Sequence, residues 1–445
     1  MSGEPFTKVP FEKKRGSEHE ATAKASKHVN RLTDRDAAKA SALRKMRVGL
    51  LDLNRTRSVR VVDEPERKDI MSEAPRNTPR LGFGCMRLPL LDRNDPTSID
   101  IEHFKRMVDT FIEGGGTYFD TAFVYHDGAS ESALREALVN RYPREAYTIA
   151  TKCLAWAAPD ARTAQSNLET SLERLGVDYV DYYLLHNVGG ARTAKFDEYR
   201  MWDFVREMKS QGKILNIGFS MHDGAKALDA LLTAHPEVDF VQLQANYLDW
   251  DDPIVQSRRC LEIARKHGVP VIVMEPARGG RLIELPERAA TVLEQAAPGN
   301  SIASWAYRFC YGLPNVIAVL SGMSTTEQVR ENVSDWKRFG SDPFSIEERR
   351  ALDDAVKALH AVESIPCTNC RYCVKDCPQG VAIPNILALL NLEAYTENRA
   401  FVKGQYSWQA KAPASACISC GVCEDMCPQK IDIVDRLAEA AHRYE

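Results

Sequence analysis

Between residues 80 and 340 of this 445-residue chain, short apolar segments alternate with longer amphipathic ones. The apolar segments have the length and the branched side chains of buried parallel strands, and glycine-rich or aspartate-rich junctions separate them from segments with helical periodicity. The predicted strands cover residues 81–86, 117–121, 147–152, 179–186, 214–220, 240–245, 269–274 and 316–321. The clearest predicted helices cover residues 101–113, 130–140, 161–175, 202–211 and 253–267.

Eight strands, each followed by a helix, are what a closed (β/α)8 TIM barrel of about 250 residues requires. The competing α/β fold, an open doubly wound sheet, needs a glycine-rich turn that leads from the first strand into a helix. Here Gly82 and Gly84 are followed by Pro89 and not by a helix. The pattern therefore predicts a barrel over residues 79–344, with its chemistry at the carboxyl ends of the strands.

Three other segments flank the predicted barrel. Residues 1–78 carry 18 Lys and Arg against 12 Asp and Glu, with few aromatic residues. This composition predicts a charged N-terminal extension, either a mobile arm with one short strand or an arm that docks on a protein partner. Residues 345–364 have the pattern of a linker helix, and residues 365–445 have short helices between two groups of cysteines.

The composition excludes several classes of protein. A net charge of -4 gives no bulk attraction to nucleic acid or to an anionic membrane. No apolar run has the length of a membrane span, and the basic segment KKRG at 13–16 is not followed by the apolar core of an export signal. Eight of the 12 cysteines lie after residue 365, which argues against a disulfide scaffold and for metal ligation in the reducing cytoplasm.

The spacing C-x2-C-x2-C-x3-C-P occurs twice near the C-terminus. The cysteines of the two copies are Cys367, Cys370, Cys373 and Cys377, then Cys417, Cys420, Cys423 and Cys427. A tight loop can present three sulfurs to three corners of one iron–sulfur cube, while the fourth sulfur must approach from outside the loop. Structural zinc also binds paired cysteines, but it has no use for this longer run.

The duplicated run is identified as the signature of bacterial-type ferredoxins, in which each fourth ligand comes from the other motif. This resemblance implies two [4Fe–4S] clusters. Cluster A is held by Cys367, Cys370, Cys373 and Cys427, and cluster B is held by Cys417, Cys420, Cys423 and Cys377. Two neighbouring clusters favour electron transfer over a purely structural role, because one metal would suffice for folding.

Polar side chains end three consecutive predicted strands of the barrel. Asp120, Lys152 and His186 end the second, third and fourth strands, and Tyr125 follows Asp120 by five positions. The set, in segments YFDTAFVYHDGASE, ATKC and DYYLLHN, resembles the aldo/keto reductase family. The segments LGFGCMRLP and VMEPARGG resemble the subfamily that joins this barrel to a two-cluster ferredoxin domain.

The resemblance implies reduction of a carbonyl group with Tyr125 as the general acid. A phenol with a pKa near 10 is a poor acid at neutral pH, and the neighbouring ammonium of Lys152 is expected to lower that pKa. Asp120 would hold Lys152 in place and keep it charged. His186 would donate a second hydrogen bond to the carbonyl oxygen and orient the substrate.

The resemblance also implies a site for NAD(P)H, from whose usual residues this sequence departs. Ser220 and Gln242 stand where the family binds the nicotinamide carboxamide, but Met221 replaces an asparagine and Met274 replaces the usual stacking aromatic residue. The loop after the last strand resembles the family's adenosine-phosphate loop. Its predicted contacts are Gly322 and Ser324 to phosphate, Gln328 at a position often occupied by arginine in NADP-specific members, and Glu331 and Asn332 to adenine. The choice between NAD and NADP stays open.

Hydride transfer moves two electrons at once, whereas an iron–sulfur cluster carries one, so their coupling normally needs a flavin or another converter. The preferred hypothesis is an iron–sulfur oxidoreductase that reduces a carbonyl or related unsaturated small molecule. Tyr125 supplies the proton, NAD(P)H supplies the hydride, and the clusters exchange electrons with a redox partner protein. A second hypothesis places a flavin in the barrel. A third makes the chain an electron-transfer subunit of a larger complex, with a vestigial barrel. The substrate and the oligomeric state are not predicted.

Overall fold

The computed structural model describes residues 81–92, 95–339, 344–362, 364–396, 398–410 and 412–445. The N-terminal extension that is predicted for residues 1–78 lies outside the described residues. All described residues belong to one compact unit. The barrel and the cysteine-rich region that follows it are therefore parts of the same packed body.

Eight parallel strands close into a barrel in which each strand pairs with the next and the last pairs with the first. The strands are β1 Leu81–Gly84, β2 Tyr118–Asp120, β3 Thr148–Cys153, β4 Val180–Leu185, β5 Ile214–Met221, β6 Phe240–Gln244, β7 Val271–Met274 and β8 Val316–Ser321. The predicted (β/α)8 fold is confirmed, and no predicted strand end differs from the observed one by more than about two residues.

Helices surround the barrel and form the C-terminal region. Around the barrel they are α1 Ile101–Glu113, α2 Ala129–Leu134, α3 Ala161–Leu175, α4 Thr193–Glu198, α5 Met201–Ser210, α6 Ala225–Ala234, α7 Ser257–Lys266, α8 Glu287–Ala296, α9 Ile302–Tyr311, α10 Thr326–Phe339 and α11 Ile346–His360. The C-terminal helices are α12 Tyr372–Lys375, α13 Ile383–Thr396, α14 Arg399–Gln409, α15 Val422–Asp425 and α16 Ile433–Tyr444. None of these described helices combines the length and the apolar character that a membrane crossing demands.

Side-chain caps explain several helix boundaries. The carboxylate of Asp100 accepts the amide of His103 at the start of α1, and that of Asp160 accepts the amide of Thr163 at the start of α3. The helix predicted over 253–267 begins only at Ser257. The carboxylate of Asp252 accepts the amides of the second and third residues after it and holds this segment in a turn.

Aromatic and aliphatic side chains fill the interior of the barrel. The rings of Tyr118 and Tyr182 meet edge to face with centroids 5.2 Å apart, and Tyr182 meets Phe240 in the same way at 5.0 Å. The interior layer also includes Leu184 and Ile272. This packed layer fills the interior of the barrel, so the polar side chains at the strand ends lie at its carboxyl end.

The predicted linker helix, α11, is part of the outer layer of the barrel. Leu352 and Leu359 pack with Leu293 of α8 and with Trp305 of α9 in one apolar cluster. An ion pair between Arg308 and Glu348, with 2.5 Å between Nη1 and Oε1, reinforces this contact. The chain therefore reaches the cysteine-rich region from a fixed point on the barrel.

The cysteine-rich region packs against the carboxyl end of the barrel. Arg281, which follows β7, donates to Ser364 Oγ over 2.7 Å and also to the carbonyl of Ile365. Gln429 Nε2 donates to Gln244 Oε1 at the end of β6 over 2.9 Å. The segments before the first cysteine and after the last cysteine therefore both pack over the mouth of the barrel.

At Gly279 the barrel and the cysteine-rich region approach each other closely. Its φ of +68° favours glycine, and a Cβ added there would lie 2.2 Å from the carbonyl oxygen of Thr368. Backbone atoms cannot give way as the end of a flexible side chain can. Only a residue without a Cβ allows the cysteine loop to approach this closely.

We predict that Gly279→Ala destabilises the protein much more than Gly299→Ala. Gly299 also has a positive φ, +87°, but an added Cβ would meet no atom within 4 Å. Gly299→Ala, the control, should lower the free energy of unfolding by about 1 kcal/mol because of backbone strain. Gly279→Ala should lower it by about 3 kcal/mol because a steric clash is added to that strain. Anaerobic denaturation of the cluster-loaded proteins measures both values. Equal costs would show that the domains are not in close contact here.

Candidate active site and cysteine sites

One cavity of about 300 Å³ lies at the carboxyl end of the barrel, and its wall includes all four predicted catalytic residues. Asp120 ends β2, Lys152 lies at the end of β3, and His186 directly follows β4. Tyr125 reaches the same cavity from the turn after β2. The parallel strands therefore bring together four side chains that span 67 positions of sequence.

Asp120 and Lys152 form a buried ion pair, with 2.6 Å between Lys152 Nζ and Asp120 Oδ1 and side chains 1% and 3% exposed. Lys152 also donates to the carbonyl of Thr121 over 2.6 Å. Burial raises the pKa of Asp120 and lowers that of Lys152, while the charge of each partner opposes the shift. The pair fixes the ammonium beside the cavity.

A strained turn positions Tyr125. Its amide donates to the carbonyl of Ala122, and the next two residues, His126 and Asp127, have φ values of 54° and 51°. The ring of His126 holds the turn, because Nε2 accepts the amide of Leu88 over 3.2 Å and Nδ1 lies 2.8 Å from the carbonyl of Pro96. These contacts direct the phenol inward.

The electrostatics of Tyr125 differ from the sequence-based expectation. Burial raises the pKa of the phenol well above its usual value, and the nearby charge of Asp120 raises it further. Lys152 Nζ lies 4.8 Å from the centre of the Tyr125 ring and donates to Asp120 and Thr121 instead of to the phenol. Because these oxygens satisfy the ammonium, the expected lowering of the Tyr125 pKa by Lys152 is not seen.

His186 is enclosed by two tyrosines. Its ring meets those of Tyr125 and Tyr372 edge to face, with centroids 6.0 and 6.2 Å apart. Nε2 lies 3.1 Å from the hydroxyl of Tyr372, and the backbone carbonyl accepts the indole N–H of Trp156. Burial, with a contribution from Lys152, lowers the pKa of His186 well below its usual value, so the ring is neutral at physiological pH.

The residues that are predicted to bind nicotinamide lie on the cavity wall, namely Ser220, Gln242 and Met274. Ser220 Oγ accepts the amide of Asn187 over 2.9 Å. Gln242 is 2% exposed, and its Oε1 atom has no hydrogen-bond partner among the described residues. That acceptor suits an amide donor such as the nicotinamide carboxamide.

Only part of the predicted adenosine-phosphate set faces the cavity. Gly322, Ser324 and Gln328 do so, but the amide of Ser324 already donates to Gln328 Oε1 over 2.8 Å. Asn332 is buried and donates to Ser321 Oγ, and Glu331 is exposed outside the cavity. Asn332 therefore faces β8, and its contact with adenine stays a prediction.

The eight motif cysteines surround two small cavities, each of about 20 Å³. Cys367, Cys370, Cys373 and Cys427 line one, and Cys377, Cys417, Cys420 and Cys423 line the other. These are the two sets that the ferredoxin resemblance implies. Within the described ranges, no three His, Cys, Asp or Glu side chains converge on a point where one ion could bind them. Thiols spaced around a cavity suit several irons better than one tetrahedral ion.

The two cysteine sets differ in their surroundings. Cys370 of the cluster A set also lines the large cavity of the barrel. Cys420 of the cluster B set is exposed, and the neighbouring Ile418 and Val422 are 59% and 38% exposed. Cluster A would therefore face the catalytic residues, and cluster B would face solvent.

Arg87, Glu275 and Tyr372 are among the residues of the cavity wall that were not predicted as site residues. Arg87 Nη2 lies 3.6 Å from Glu275 Oε1 and donates to the carbonyl of Thr368 in the cysteine loop. Burial raises the pKa of Glu275, whose Oε2 has no partner in the described part of the chain. Glu275 follows β7 directly, so the strand-end rule could have found it.

Comparison with known proteins gives two family matches. Residues 80–356 match the model described as "Aldo/keto reductase family". Residues 366–431 match the model described as "4Fe-4S dicluster domain". The two resemblances that were inferred from the motifs are confirmed.

Individual relatives agree with the first match. The uncharacterized oxidoreductase YqkF of Bacillus subtilis is 25% identical over 326 residues, which cover 66% of this chain and 96% of YqkF. The NADH-specific methylglyoxal reductase of Escherichia coli is 28% identical over 275 residues, which cover 51% of this chain and 81% of that protein. The structure of the aldo-keto reductase AKR11C1 from Bacillus halodurans (holo form) superposes with a TM-score of 0.50 at 26% identity and covers 62% of this chain and 91% of its own.

Double substitutions test how the cysteines divide between the two clusters. Cys370→Ala with Cys427→Ala removes two ligands of the cluster A set, so we expect cluster B and about half of the iron to remain. Cys420→Ala with Cys427→Ala removes one ligand from each set, so both clusters should be lost. Iron and sulfide analysis with EPR of the reduced proteins measures the outcome. The reverse pattern would mean that each motif supplies all four of its own ligands.

The raised pKa of Tyr125 predicts the pH dependence of its proton donation. A phenol whose pKa lies above 10 stays protonated at every lower pH, so the rate of a reduction that uses it should be flat from about pH 6 to about pH 9. The measurement is kcat/KM against pH in anaerobic buffers. A decline with a midpoint near pH 8 would show that Lys152 lowers this pKa during the reaction.

Proposed function

Because the chain belongs to the aldo/keto reductase family and continues into a 4Fe-4S dicluster domain, we propose that it reduces a carbonyl or related unsaturated group of a small molecule, with Tyr125 as the general acid. The observation that carries this proposal is the single cavity whose wall includes the tetrad Asp120, Tyr125, Lys152 and His186 together with Cys370. The general acid Tyr125 and a cysteine of the set that would supply electrons therefore lie on the wall of one cavity.

Reduction of a carbonyl to an alcohol adds two electrons and two protons. The hydroxyl of Tyr125 gives one proton to the substrate oxygen, and Lys152 Nζ, 4.8 Å from the ring centre, places a positive charge beside the phenolate that results. Asp120 keeps that ammonium in place.

Glu275 is suited to hold the second proton. Its carboxyl lies on the wall of the same cavity, its pKa is raised by burial, and its Oε2 has no partner among the described residues. A carboxyl group whose pKa is raised holds its proton more readily than an exposed one and can give that proton to the substrate as electrons arrive. The carbon atom would receive this proton when no hydride is transferred.

The two cysteine sets define a direction for electron supply. When bound, the clusters supply electrons one at a time. Cys370 lies on the cavity wall, so the cluster A set is the end near the substrate, and the exposed Cys420 makes the cluster B set the entry point. The exposed side chains of Ile418 and Val422 offer apolar contacts to a redox partner protein.

NAD(P)H is the second candidate source of electrons, as a hydride donor. The unpaired Oε1 of Gln242 favours it, and one relative is named an NADH-specific methylglyoxal reductase. Met221, Met274 and the Gln328 side chain that covers the amide of Ser324 weaken the case for tight binding. The matched families give no support to the alternative of a flavin in the barrel.

A vestigial barrel in an electron-transfer subunit is less well supported. The tetrad is complete, its ion pair is intact at 2.6 Å, and it opens to a cavity of about 300 Å³. The thiols of the two cysteine sets must stay reduced until metal binds, which favours the cytoplasm as the location.

We predict that Tyr125→Phe lowers kcat by about 10²- to 10⁴-fold, because the general acid is lost. Cluster-loaded protein would be assayed anaerobically with methylglyoxal, other aldehydes and ketones, and quinones, with NADH, NADPH or reduced methyl viologen as donor. The control is Tyr142→Phe, whose hydroxyl donates to Asp109 outside the cavity. Full turnover by Tyr125→Phe at unchanged iron content, or no turnover of any compound by the wild type, would contradict the proposal.

A further inference from the structure

Tyr372 connects the cysteine-rich domain to the catalytic residues. It begins α12, between Cys370 and Cys373 of the cluster A set, and it lies on the wall of the barrel cavity. Its hydroxyl is 3.1 Å from His186 Nε2, across a separation of 186 residues. No other described hydrogen bond joins a catalytic side chain to the cysteine-rich domain.

The surroundings of His186 decide which partner donates in this contact. Nδ1 has no hydrogen-bond partner among the described residues. A buried N–H without an acceptor is more costly than a lone pair without a donor, so the proton of the neutral ring belongs on Nε2. His186 therefore donates to the oxygen of Tyr372, and the O–H of Tyr372 is left to point into the cavity.

We propose that Tyr372, and not His186 directly, donates the second hydrogen bond to the substrate oxygen. The inference rests on the proposed function. The rings of Tyr125 and Tyr372 both contact the ring of His186, with centroids 6.0 and 6.2 Å away, and both residues line the cavity. Tyr125 transfers its proton, Tyr372 stabilises the developing negative charge, and His186 is a positioning residue behind Tyr372.

This arrangement makes the active site incomplete without the second domain. Cys370 lies two residues before Tyr372 and Cys373 directly after it, so the conformation of this cysteine loop sets the position of the donor. Arg87 and Gly279 hold the same loop through Thr368. The cysteine-rich domain would thus supply a catalytic residue as well as electrons.

The test is Tyr372→Phe in cluster-loaded protein, with the assay that is described for Tyr125→Phe. We expect kcat to fall about 10²-fold, with the KM of the electron donor and the iron content unchanged, because one preorganised donor to the substrate oxygen is removed. The control is Tyr406→Phe, a residue of the same domain whose hydroxyl donates to Glu445, away from the cavity. It should keep wild-type turnover.

A double-substitution cycle separates the relay from two independent donors. If His186 acts through Tyr372, Tyr372→Phe combined with His186→Ala should be no slower than the slower single variant. Losses that multiply would overturn the relay, and so would wild-type kcat in Tyr372→Phe. In either case the loss of turnover in Tyr125→Phe would leave the proposed function standing. Full turnover in Tyr125→Phe, or an inactive wild type, would overturn both.

Discussion

The packing of the cysteine-rich region onto the mouth of the barrel is the contact on which the rest of the site depends. It consists of the close approach of Thr368 to Gly279, the hydrogen bond between Gln429 and Gln244, and the contact of Tyr372 with His186. Without it the barrel would end in an open mouth and the cysteines would form a separate module. With it, a thiol of the cluster A set and a proton-donating phenol share one wall.

The buried charges of the cavity show a second constraint. An ion pair as buried as Lys152 with Asp120 pays a large desolvation cost and is weak evidence for stability. Glu275, paired only loosely with Arg87 at 3.6 Å, adds a further buried carboxyl. Buried charged groups of this kind are typical of functional sites. Here they lie together at the strand ends that face the cysteine loop.

The sequence predicts the barrel well because each strand is a short buried apolar run. The resemblance to ferredoxins, which rests on the cysteine spacing, implies the two sets of cysteines that line the two small cavities. The sequence predicts less where a contact joins distant elements. Tyr372 could not be assigned to the cavity, because only the packing of the domains brings it to His186. The hydrogen bond from Asn332 to Ser321 joins a helix to a strand, and helical periodicity alone does not show it. The catalytic roles of the tetrad and the division of the cysteines remain predictions.

The central claim is that electrons from the cysteine-rich domain reach a molecule bound beside Tyr125. The most direct measurement is a single turnover: cluster-loaded protein is reduced without oxygen, freed of reductant and dinucleotide, and mixed in a stopped-flow instrument with a compound that it turns over. The account predicts that the visible absorption of the oxidised clusters returns as they give up their electrons, and that about one molecule of product forms for every two electrons that the clusters lose. Clusters that stay reduced, with product formed only after NADH or NADPH is added, would contradict it.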